Sequence, residues 1–162
     1  MTTVLLAAVF AGNALINPQG VGQGTAPKQV TPIPFDPKAD PVKDLKAALV
    51  KAKKENKRVV LDVGGEWCVW CHRLDAFLME QPTVRALLEP TYLWVKINYS
   101  PENKNEKFLA GYPKIQGYPH LFVLDEKGKL LHSQDTGLLE EGSGYSLDKV
   151  TTFLKAWAPK AR

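Results

Sequence analysis

Val42, Leu45, Leu49 and Ala52 recur at helical spacing and predict an amphipathic helix over 42–55, which Asn56 and Lys57 end. The run Arg58–Val63 is apolar, rich in β-branched residues and of strand length. Gly64 and Gly65 break it, and the stretch from Glu66 to Glu80, free of Gly and Pro, predicts a second helix. Pro82 is expected to kink or end that helix, with Val84, Leu87 and Leu88 marking one further helical turn. Tyr92–Asn98 reads as a second strand and Glu102–Ala110 as a weak helix. Gly117, Tyr118 and Pro119 signal a turn before the strand His120–Leu124, and Asp125–Gly128 predicts a hairpin turn into Lys129–Ser133. Leu147, Val150, Leu154 and Trp157 again fall at helical spacing, with Ser146 as a suitable N-cap.

The early strands alternate with helices, so they are expected to pair in parallel through crossovers; the last two strands form a hairpin. The predicted fold class is α/β, with a central mixed sheet flanked by helices on both faces. A length of 162 residues fits one such domain, placed over 42–160, plus an N-terminal extension. In that extension, 17–41 holds six Pro and three Gly and reads as a linker or an arm laid on the domain. Residues 1–16 carry an apolar run too short for a membrane span but suited to a signal-peptide core, although no Lys or Arg precedes it. The expectation is a periplasmic or otherwise extracytoplasmic protein with no integral span in the mature chain. A cytoplasmic domain with a packed N-terminal segment is the alternative.

Composition adds little. Charged residues make up 23% and the net charge is +4, an ordinary globular balance that implies no nucleic-acid partner. The cluster Lys51, Lys53, Lys54, Lys57 and Arg58 falls at the end of the first predicted helix, where a solvated helix end accounts for it; docking of acidic partners is the weaker reading.

The two cysteines change the picture. Cys68 and Cys71 are three positions apart, and a bridge closing so short a loop would constrain little of the unfolded chain. Reactivity or ligation explains the pair better than stapling. The order strand, glycine break, Trp67-Cys68-Val69-Trp70-Cys71, helix places Cys68 at a helix N-terminus, where free N–H groups and the helix dipole favour the thiolate. Cys71 lies one turn further in, on the same face, and suits the resolving role. Trp67 and Trp70 could form an apolar rim for docking proteins, with Trp70 expected to be exposed. Rival readings are haem attachment at Cys68-x-x-Cys71-His72, a metal site on Cys68, Cys71, His72 and His120, and a binding protein without turnover. Haem attachment needs a second axial ligand, and Met79, on the same predicted helix as His72, cannot reach round to supply it.

The stretch from Val59 through Asp62 and Trp67 to Cys71 resembles the active-site segment of the thioredoxin superfamily. Asp62 matches the acidic residue six positions before the first cysteine, and Trp67 the residue just before it. Ile115–Pro119 ahead of an apolar strand resembles the family's cis-proline loop, and Lys96 matches a strand lysine beside the buried acid. The resemblance covers about 42–158 and points to thioredoxin-like proteins of bacterial envelopes. It implies dithiol–disulfide exchange on protein substrates, a separate redox partner, and no metal or organic cofactor. It further implies that Asp62 shuttles a proton for Cys71, with a structural pairing to Lys96 as the alternative, and that Pro119 offers backbone to an extended substrate. Tyr118 is a candidate substrate contact. Two departures matter: Val69-Trp70 stands in place of Gly-Pro, and Tyr118 precedes the proline in place of a small or β-branched residue. Neither redox direction nor substrate preference therefore carries over; a reductase or interchange role is the expectation.

Overall fold

The computed structural model describes residues 33–160, so the expectations for residues 1–16 and for most of the arm lie outside the described residues. Helix α1 (Pro41–Glu55) begins where Asp40 accepts the N–H groups of Val42 and Lys43 and Pro41 supplies a preset first turn; it ends at Asn56 in the left-handed conformation. Strand β1 (Arg58–Gly64) follows, then α2 (Val69–Glu80), α3 (Pro82–Thr91) and β2 (Tyr92–Asn98). A short α4 (Glu106–Leu109) leads to β3 (His120–Leu124) and β4 (Leu130–Asp135). A 3₁₀ turn (Thr136–Leu139), a small hairpin of β5 (Glu140–Glu141) and β6 (Gly144–Tyr145), and helix α5 (Leu147–Trp157) complete the order.

The four main strands form one mixed sheet in the order β2-β1-β3-β4. β1 and β2 are parallel, as the crossover predicts, while β3 is antiparallel to both its neighbours. Alternation along β1 splits the core. Val60 joins Leu74, Leu78, Val84, Leu121, Val150 and Phe153 under α2, α3 and α5. Val59, Leu61 and Val63 join Ala52, Ile97 and Phe122, with α1 and α4 side chains packed outside them. Helices thus cover both faces. Asp62 and Gly64 fall on the α2 face of β1, a placement that builds the site.

The structure corrects three expectations here. Pro82 does not merely break a helix: it occupies the first position of α3, where its missing N–H is not needed, and that helix runs for 10 residues. The weak helix over 102–110 shrinks to 4 residues. Ser146 stands at the N-cap of α5 but makes no side-chain capping bond.

Candidate active site

Cys68 is the N-cap residue of α2, and its Sγ receives the backbone N–H of Cys71 at 3.1 Å. The two sulfurs are joined as a disulfide with Cα atoms 5.2 Å apart. Cys68 is 3% exposed and Cys71 fully buried. In the reduced state the same N–H, at the positive end of a 12-residue helix, faces whatever charge develops on Cys68.

The glycine pair before the motif has a steric reason. A Cβ on Gly64 would collide with Cys71 Sγ and lie 3.0 Å from the Phe35 ring, and one on Gly65 would lie 2.5 Å from Trp67 Nε1 and 2.9 Å from the Tyr99 carbonyl. Gly64 still belongs to β1, so the strand runs up to the sulfur pair itself.

An aromatic wall stands beside the disulfide. Trp67 donates its indole N–H to the Tyr99 carbonyl at 2.7 Å and meets Tyr118 edge to face at 5.6 Å. Tyr118 in turn stacks on Tyr99 at 4.8 Å. The Tyr118–Pro119 bond is cis, and the Pro119 carbonyl accepts the Thr136 hydroxyl at 2.6 Å. Trp67 and Val69 are more than half exposed. Trp70 is not the exposed residue the sequence suggests. It is half-buried, set edge to face on Tyr145 at 5.7 Å and covered by the Arg73 guanidinium at 4.5 Å. The 3₁₀ turn and β5–β6 hairpin therefore buttress the site twice, through Thr136 and through Tyr145.

Beneath the sulfurs lies a buried charge cluster. Asp62 is fully buried; its Oδ2 accepts from Lys96 Nζ at 2.7 Å and from Trp94 Nε1 at 2.8 Å, while Oδ1 has no hydrogen-bond partner among the described residues. Lys96 also pairs with Asp75 of α2. Burial pulls the Lys96 ammonium toward a lower pKa, but the two carboxylates outweigh it and hold the group above its ordinary value. Burial raises the pKa of Asp75, and Lys96, already shared with Asp62, does not fully offset this.

Three residues of this region were not singled out in the sequence. Asp75 lies four positions after Cys71, one helical turn on, a spacing that could have exposed it. Phe35 packs its ring against both cysteines and sits 4.3 Å from Lys96 Nζ. Glu66 accepts the Phe35 N–H at 2.7 Å. The rival ligand sets do not assemble: His72 Nε2 is 2.8 Å from the Glu66 carbonyl, and His120 Nε2 is 2.8 Å from Ser133 Oγ. No cluster of three or more His, Cys, Asp or Glu among the described residues is arranged to hold a metal ion.

A mixed sheet with a cysteine pair capping the helix after its first strand, faced by a cis-proline loop, defines a protein of the thioredoxin fold with a Cys-x-x-Cys centre. The chain belongs to the thioredoxin-like family, whose model matches residues 40–126. It is 30% identical over 88 residues to the thiol:disulfide interchange protein DsbD of Salmonella typhi, a stretch that is 54% of this chain and 15% of that protein. The chain thus spans a small fraction of the curated relatives it matches. The crystal structure of a disulphide isomerase from Xylella fastidiosa Temecula1 superposes with a TM-score of 0.66 at 27% identity, covering 78% of this chain and 98% of that one. The oxidised C-terminal domain of Neisseria meningitidis DsbD gives a TM-score of 0.51 at 24% identity, over 74% and 94% of the two chains, a likeness of fold.

Proposed function

We propose that this protein is a thiol–disulfide oxidoreductase that exchanges its Cys68–Cys71 pair with disulfides or thiols of protein substrates, in a reductase or interchange role. The observation that carries the reading is the bonded sulfur pair at the start of α2, with Cys68 Sγ accepting a helix N–H and Cys71 wholly buried behind it. In the reducing direction the Cys68 thiolate attacks a client disulfide. One client sulfur leaves as a thiolate and takes up a proton, and a mixed disulfide remains. Cys71 then loses its proton, bonds to Cys68 Sγ and displaces the second client sulfur. Two electrons pass from the dithiol to the client, and a second redox protein restores the dithiol.

Asp62, buried on the same sheet face with one oxygen unpartnered, supports the reading of an acceptor for the Cys71 proton. The exposed faces of Trp67 and Val69, with Tyr118 beside them, supply an apolar rim for a client segment laid along Pro119. The reading places the domain at 42–160, behind an arm and a leader, and in an extracytoplasmic compartment; the likeness to a thiol:disulfide interchange protein supports that placement. No helix among the described residues is long and apolar enough to cross a membrane.

Reduction of a disulfide-bonded protein such as insulin, followed with a chemical reductant as donor, tests the proposal. Wild type turns over, Cys68→Ser is inactive, and Cys71→Ser accumulates a covalent adduct with the client. Full activity in Cys68→Ser removes the assignment.

A further inference from the structure

We infer that Phe35, carried in by the N-terminal arm, is a positioning residue for the cysteine chemistry: its ring is the wall that keeps bulk water from Cys71 Sγ and the Lys96–Asp62 pair. The inference rests on the exchange reading above and specifies how the buried half of the site is closed.

Among residues 33–38, Phe35 is the one buried side chain of an otherwise exposed stretch. It is 2% exposed, whereas Ile33 is 64% exposed and Pro34, Asp36 and Pro37 lie open to solvent. Its ring does not belong to either large core cluster; it forms a small third cluster with Cys68 and Cys71. Its buried ring thus serves the cysteine pair and not the two large clusters. The ring converges with Cys71 Sγ on the bare Cα of Gly64, and Lys96 Nζ lies 4.3 Å from its centre. Two polar anchors fix the arm across the site: the Phe35 N–H to Glu66 Oε1 at 2.7 Å, and Asn103 Nδ2 to the Pro37 carbonyl at 2.8 Å. Glu66 comes just before the cysteine motif and Asn103 from the β2–α4 loop, so the strap is pinned on both sides of its aromatic peg.

The chemical consequence concerns one proton. When the Cys71 thiolate forms its bond to Cys68 Sγ and the client sulfur leaves, the Cys71 proton must already have departed. Behind an apolar ring it has no route to bulk water on that side. The ionisable groups that face this space are Asp62 from β1, Lys96 from β2 and Asp75 from α2, with Glu66 and His72 at its outer rim and Tyr118 packed against the cysteine cluster from the cis-proline loop. A wall at this position couples the Cys71 proton to the internal cluster. It also holds Cys71 in its neutral form in the free dithiol, because an unsolvated thiolate beside buried carboxylates is disfavoured.

The test measures alkylation of Cys71 by iodoacetamide against pH, by mass spectrometry, in a Cys68→Ser background where Cys71 is the sole thiol. Phe35→Ala admits water, so Cys71 reacts at least about tenfold faster at neutral pH and its midpoint moves to lower pH. Phe35→Leu restores most of the parent behaviour. Asn103→Ala, which loosens the anchor at Pro37 without removing a charge or buried volume, falls between the two. If Phe35→Ala folds and its rate and midpoint stay within about twofold of the parent, Phe35 only fills space and the inference is overturned. If Phe35→Ala does not fold, Asn103→Ala decides: a parent-like profile overturns the inference and a faster, shifted one supports it. Alkylation requires no turnover, so failure of the insulin assay removes the exchange reading without deciding this measurement.

Discussion

Lys96 Nζ lies 2.7 Å from Asp62 Oδ2 across the paired first two strands, and the same ammonium reaches over to Asp75 on the helix that carries the cysteines. One cation thus serves two carboxylates in a space from which solvent is nearly excluded; the side chains of Lys96, Asp62 and Asp75 are 7%, 0% and 13% exposed. The arrangement ties β1, β2 and α2 together immediately behind the sulfur pair, so stability and chemistry meet in the same three residues.

Replacing Lys96 by Met keeps the length of the side chain and removes the charge. Two buried carboxylates are then left uncompensated, and the expected loss is about 3–5 kcal/mol at neutral pH. The pH dependence has a definite sign. Asp75 already has a raised folded-state pKa, and removing the ammonium raises it further. A carboxyl raised in the folded state favours folding most when protonated, and that advantage disappears as pH rises through its folded value. The deficit of Lys96→Met is therefore largest at neutral pH and shrinks toward about pH 4. Lys96 itself is raised in the folded state, so its own contribution is present below its ordinary pKa and fades only as pH climbs through the folded value. Urea midpoints of wild type and variant from about pH 4 to neutral check the carboxylate limb, and wild-type midpoints carried above about pH 10 check the lysine limb.

Asp62→Asn separates proton transfer from packing. Asn retains an oxygen for the Trp94 indole, and Lys96 keeps Asp75. If Asp62 receives the Cys71 proton, resolution of the mixed disulfide slows by on the order of 10²-fold while its formation by Cys68 is unchanged. Stopped-flow measurement of client release from a preformed mixed disulfide gives the answer. An unchanged release rate leaves Asp62 as a structural partner of Lys96 alone.

The strands β2 and β3 were legible to the residue, because apolar and aromatic positions dominate each short run even with Lys96 and Asn98 in β2 and His120 at the start of β3. The motif order also placed Cys68 at a helix start. What escaped had no period to reveal it. The β5 and β6 strands are two residues each, too short for alternation to register, although Gly142 at a positive φ of 59° marks the turn between them. That omission is why Trp70 reads as exposed: the Tyr145 that covers it comes from an element the pattern did not show. Phe35 escaped for a related reason. A lone aromatic in a Pro-rich arm carries no spacing that says where it docks, and Glu66, which anchors its backbone, is 31 positions away. Asp75 was within reach, since an acid one turn beyond Cys71 on the same helix must face the same space.

Gly64 provides a steric test of how tightly the site is assembled. Its backbone is not in the left-handed region, so Ala is permitted conformationally, but the added methyl group would collide with Cys71 Sγ and lie within 3.0 Å of Phe35. Neither neighbour can move freely: the sulfur is bonded to Cys68 and the ring is held by the anchored arm. Gly64→Ala is therefore expected to cost about 1–3 kcal/mol through overpacking. Gly117→Ala is the matched control. It lies in the loop before Pro119, and its added Cβ meets no atom within 4 Å, so a change within about 0.5 kcal/mol is expected. Denaturation of the two oxidised variants beside wild type measures both. A Gly64→Ala protein as stable as Gly117→Ala would mean that the strand end, the Cys71 sulfur and the Phe35 ring are packed far more loosely than this geometry requires.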